Sequence, residues 1–74
     1  MKPEFELDKY LAHAECKHLT EEEKNLLYDQ ALAYARECEY PIGRALAIAL
    51  LHFNADVGRK NRVNQRFINW LYYY

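Results

Sequence analysis

The stretch Tyr40-Pro41-Ile42-Gly43-Arg44-Ala45-Leu46-Ala47-Ile48-Ala49-Leu50-Leu51-His52-Phe53 decides the fold. The residue before a proline avoids the α region, so Tyr40-Pro41 breaks a helix arriving from the N-terminal side. Proline is tolerated at the first helical position, where its missing N–H has no intrahelical partner anyway, so Pro41 starts a new helix. Ala45 to Leu51 is then apolar all round, and such a helix is covered on several sides. A helix over about 41–53 is therefore expected at the centre of the molecule. Its cover is other helices or, on one face, a second copy of the chain.

Toward the N-terminus, Thr20-Glu21-Glu22-Glu23 is a capping box. The Thr20 hydroxyl can accept from the Glu23 amide while the Glu23 carboxylate reaches back. Leu19 precedes it and can staple against the Lys24 stem or Leu27. A helix over 20–39 follows, with Leu27, Ala31, Tyr34, Ala35 and Cys38 at 3-4 spacing. A first helix is predicted over 4–17. Pro3 is allowed at its start, and Glu4, Glu6 and Asp8 suit the positive helix end. Phe5 or Leu7, Leu11 and Ala14 make its narrow apolar stripe.

Toward the C-terminus, Asn54-Ala55-Asp56-Val57-Gly58 reads as a turn. A fourth helix is expected over 60–72. Val63, Phe67, Trp70 and Leu71 (or Tyr74) form its buried stripe, with Ile68 to one side. Few residues alternate with period two, so no strand is expected. The fold class is all-α: a small single-domain bundle of about four helices. In a chain of 74 residues one core contributes only ~3–5 kcal/mol net. Completion by dimerisation is therefore kept open.

Charge is split along the chain. Residues 1–39 carry ten acidic and five basic side chains, a net of −5. Residues 40–74 carry five Arg/Lys and one Asp, a net of +4. A formal charge of −1 thus hides a bipolar molecule, and fields of that kind select partners. The acidic N-terminus lacks the basic start and apolar run of a secretory signal. The seven-residue apolar run is far short of the ~18–20 a membrane span needs. Two cysteines do not make a disulfide framework. A cytoplasmic protein with reduced thiols and no membrane partner is expected.

Chemistry-bearing clusters are sparse. His13 and Cys16 stand one helical turn apart, but the paired short motifs of structural zinc sites are missing. Cys16 and Cys38 fall at opposite ends of helix 2, ~27 Å apart along an 18-residue rise. The chain has no serine, and nothing supplies a base-oriented nucleophile or an oxyanion hole. The sequence thus points to a non-enzyme with no catalytic residue, no metal ligand set and no cofactor. Glu21, Glu22 and Glu23 point in different directions and serve helix-end electrostatics, or an acidic docking face.

Two surfaces remain as binding candidates. Arg59, Lys60, Arg62, Arg66 and Asn69 form a basic, amide-rich face if the fourth helix starts near residue 60. Arg59, Arg62 and Arg66 then share one side at i, i+3, i+7, suited to phosphates and base edges. The pI of about 6.3 argues against a dedicated nucleic-acid binder. The second surface is aromatic. Trp70, Tyr72, Tyr73 and Tyr74 cannot all face one core from one helix, and Tyr and Trp are enriched at interfaces. The expected function is protein–protein binding, as an adaptor, inhibitor or regulatory modulator. The alternatives are a nucleic-acid-binding regulator using residues 59–70 and a structural subunit of a larger assembly.

Overall fold

The computed structural model describes residues 3–56 and 62–73. Four α-helices make up the fold: α1 Pro3–Leu11, α2 Glu21–Glu37, α3 Ile42–Asp56 and α4 Gln65–Tyr73. A 3-10 turn, Ala14–Cys16, links α1 to α2. No strand occurs among the described residues, and the molecule is a small all-α bundle. The α3 helix packs against α2, α4 and α1. Ala45, Leu46, Ala47, Ala49, Leu50 and Phe53 give it buried residues on several sides. The all-round apolar pattern thus produces the central helix it implies.

One core joins all four helices. Leu7 of α1, Leu27 of α2, Leu46 and Leu50 of α3, and Ile68 of α4 are its largest fully buried side chains. Each such side chain removed from water contributes about 1.5–3 kcal/mol.

The capping box of α2 forms as read. The Thr20 N–H donates to Glu23 Oε1 at 2.9 Å, and the Glu23 N–H donates to Thr20 Oγ1 at 3.1 Å. Leu19 is buried in the same core as Leu27. At the other end Cys38 caps α2, its N–H donating to the Tyr34 carbonyl. Glu39 follows with φ 59°, the left-handed turn that lets the chain leave the helix. The Pro41 carbonyl then accepts from the Ala45 N–H at 2.9 Å. Pro41 therefore caps α3, whose first helical residue is Ile42, instead of occupying the first helical position as expected.

Three boundaries differ from the sequence reading. The first helix stops at Leu11 rather than 17. His13 turns extended, and its Nδ1 accepts from the Glu15 N–H at 3.2 Å, capping the short 3-10 turn. On a continuous helix Cys16 would lie ~140° from Leu11, at ~100° per residue, and Ala14 would face inward. The tighter turn reverses this: Cys16 and Leu19 are buried and Ala14 is exposed. Next, α3 runs through Asn54 to Asp56, where a turn was expected. Asn54 is recruited as a clamp: its Nδ2 donates to the Val63 carbonyl and its Oδ1 accepts from the Val63 N–H, both at 2.9 Å. That clamp holds Val63 in non-helical backbone, so the described part of the fourth helix begins at Gln65, not 60.

Candidate functional site

The rotation of α4 is set at its start. The Arg66 N–H donates to Asn64 Oδ1 at 2.8 Å, and the Asn64 carbonyl accepts from the Phe67 and Ile68 amides. Asn64 is thus a helix cap of the preferred type. With Val63 clamped one residue earlier, Phe67, Ile68 and Leu71 turn inward and are buried. This corrects the expected stripe: Ile68 is at its centre, and Trp70 lies at its edge with 43 % of its surface exposed. Tyr73 is 80 % exposed, and Tyr72 is half-buried.

Trp70 is held from two sides. Its ring stacks on Phe67 at 5.9 Å between centroids, and Tyr10 of α1 meets it edge-on at 6.0 Å. His13 continues the run by stacking on Phe67 at 4.7 Å. Tyr72 and Tyr73 meet edge-on at 4.9 Å. Rings fixed in this way lose little side-chain entropy when a partner covers them.

Two grooves share Trp70 as their common wall. The first, about 200 Å³, runs between the start of α3 and the end of α4; Tyr10, Pro41, Ile42, Gly43, Arg44, Trp70, Leu71, Tyr72 and Tyr73 line it. The second, about 410 Å³ and more open, is lined by His13, Glu15, Asn64, Arg66, Phe67 and Trp70. Gly43 lets the two helices close on each other: a Cβ there would lie 3.1 Å from the Leu71 carbonyl oxygen.

Arg44 is the residue the sequence reading missed. Its guanidinium lies 5.0 Å over the Tyr72 ring, and its Nε is sealed from solvent without a hydrogen-bond acceptor. A buried unsatisfied donor costs about 1–3 kcal/mol. Arg44 also stands third in α3, where the helix dipole disfavours a cation by about 0.3–1 kcal/mol. The signal in the sequence was a lone cation three residues after Pro41, directly ahead of the apolar run Ala45 to Leu51.

The other candidates divide. Trp70, Tyr72 and Tyr73 come together around the first groove. Tyr74, Arg59 and Lys60 lie outside the described residues, as does the side chain of Phe5. Arg62 is exposed but precedes α4, so it does not share a helical face with Arg66. Arg66 is exposed on the first turn and walls the second groove. Asn69 is exposed and accepts from Gln65 Nε2 at 3.0 Å. Arg66, from the expected basic face, and the aromatic residues are therefore neighbours across Trp70.

Both cysteines are free, Cys16 buried and Cys38 exposed. Burial pushes the Cys16 thiol up to about 11, with Lys24 lowering and Glu15 raising it to lesser degrees. A thiol in that state is protonated at neutral pH and is a poor nucleophile. Among the described residues no three His, Cys, Asp or Glu side chains converge as a metal site. No helix among them is long and apolar enough to cross a membrane. Comparison with protein-family models, curated proteins and solved structures gives no match.

Proposed function

We propose that this chain acts by binding another protein, without catalysis, through the Trp70–Tyr73 end of α4. The observation that carries this reading is a rigidly seated Trp70, 43 % exposed between two grooves and followed by the 80 % exposed Tyr73. Exposed, pre-ordered Trp and Tyr beside Arg are the composition of interface hot spots. Arg66 on the adjoining groove supplies steering and register. The class of function is an adaptor, inhibitor or regulatory modulator, and its setting is the cytoplasm.

The test starts with a photo-crosslinking amino acid at Tyr73, to identify the protein that becomes attached in cells. That protein is then purified and its affinity measured. Trp70→Ala should weaken binding at least 10-fold, as expected for a central anchor. Unchanged affinity in Trp70→Ala/Tyr73→Ala, with the fold intact by circular dichroism, would overturn the reading.

A second reading is a nucleic-acid-binding regulator. It is favoured by Arg62 and Arg66, which are exposed and make no ion pair among the described residues. Binding to mixed duplex DNA that weakens steeply with salt, and is lost in Arg62→Glu/Arg66→Glu, would support it. A flat salt response rejects it. A third, as a subunit of a larger assembly or a homodimer, draws on Leu26 and Leu51, which are 53 % and 42 % exposed. A solution mass equal to one chain at high concentration would remove the homodimer.

A further inference from the structure

We infer that the groove between the start of α3 and the end of α4 takes a carboxylate side chain from an acidic segment of the partner protein, with Arg44 as its counter-charge. The inference rests on the aromatic-surface reading above and names the chemistry of what that surface receives. Arg44 is the one charged residue among the groove's lining; the rest is aromatic, aliphatic or glycine. It makes no ion pair among the described residues. With Nε sealed and the guanidinium carbon 5.0 Å from the centre of the Tyr72 ring, its outer nitrogens are the donors left for an acceptor.

Charge complementarity selects the occupant. Arg44 lies at the positive end of α3 between apolar walls, where an anion is favoured, and the last carbonyls of α4 across the groove offset only part of that charge. A planar guanidinium matches a planar carboxylate in a two-bond fork. At about 200 Å³ the groove is smaller than typical cofactor or drug-sized sites and suits one side chain with its neighbours. The aromatic walls add contact area that a peptide uses and a bare inorganic anion does not.

The test is a titration of the full, nitrogen-15-labelled chain at low salt with three probes. These are acetyl-Leu-Glu-Leu-amide, its glutamine counterpart and inorganic phosphate. The glutamate peptide should give saturable shifts at the Gly43 amide, the Arg44 Nε–H and the Trp70 indole. The glutamine peptide should bind at least 10-fold more weakly. Arg44→Gln should abolish the glutamate preference, and Arg44→Lys should retain part of it. Equal shifts from both peptides, a shift map elsewhere on the molecule, or a pattern reproduced by phosphate would each overturn the inference. Failure here with binding still lost in Trp70→Ala would sink this inference alone. A purified partner indifferent to Trp70→Ala would sink the reading beneath it.

Discussion

The starts of α2 and α3 solve the same problem in opposite ways. Every helix begins with amides that lack intrahelical partners and with a positive end. At α2, Thr20 and Glu23 exchange hydrogen bonds, and Glu21, Glu22 and Glu23 fill the first turn with negative charge. At α3 the cap is Pro41, whose side chain can accept nothing, the first turn holds no acid, and Arg44 sits in it. The first arrangement is complete within the chain. The second is placed against its own field, beside a groove with an exposed Trp70 for a wall. Where a small protein leaves local electrostatics unsatisfied, a site completed by something else is the economical explanation.

The strongest way to break this contrast is to fill the α3 end. Gly43 is where α3 and the last turn of α4 meet, with room for no Cβ beyond a 3.1 Å contact to the Leu71 carbonyl. Gly43→Leu should destabilise the fold by about 1–3 kcal/mol, the usual range for overpacking. Urea denaturation measures it, and a loss below about 0.5 kcal/mol would mean that the two helix ends are not held together.

At the α2 end the effect is smaller and of known kind. Thr20→Ala removes one half of a box whose members are exposed, and should cost about 1 kcal/mol. No change in the urea midpoint would show that the Glu residues alone sustain the helix start.

The same contrast explains what was legible in the sequence. The Thr20–Glu23 box, the Tyr40-Pro41 break and the apolar α3 were readable because local chemistry there agrees with the final fold. The errors fall where one side chain leaves its own helix to satisfy a distant backbone. Asn54 looked like a turn residue, yet it is the clamp on Val63, nine residues away. That clamp delays the described start of α4, takes Arg62 off the helical face, and makes Ile68 rather than Trp70 the innermost residue. His13 is a separate, local case: it caps the 3-10 turn that follows α1 by accepting from the Glu15 amide two residues on. Periodicity counts residues along a helix and is blind to such contacts. Arg44 escaped notice because its meaning lies in Tyr72, 28 positions on in sequence and 5.0 Å away in space.

A change between the two helix ends sharpens the comparison from the connecting turn. Glu39 holds φ 59°, a conformation that costs a side-chain-bearing residue about 1–2 kcal/mol and glycine almost nothing. Part of that gain is returned as unfolded-chain entropy. Glu39→Gly should therefore raise stability by about 0.5–1 kcal/mol, read as a higher thermal midpoint. A lower midpoint would show that the Glu39 side chain contributes more than its strain removes.

The smallest stability effect carries the most information about function. Arg44→Met keeps the length of the side chain and removes its charge. The free protein loses a cation–π contact worth about 0.5–1 kcal/mol. It is also relieved of an unsatisfied donor and of a cation at the wrong end of a helix, together at least as large. The free protein should thus be as stable as before or more so, with a change within about 1 kcal/mol, while the affinity for an acidic segment falls. A strut of the fold would behave in the reverse way, with Arg44→Met destabilising the free chain by more than about 1 kcal/mol. Stabilising substitutions are common in natural proteins, so stability gains meaning here only when read beside the affinity. Unchanged or raised stability together with a lost affinity therefore separates a groove completed by a partner from a helix end completed by the protein itself.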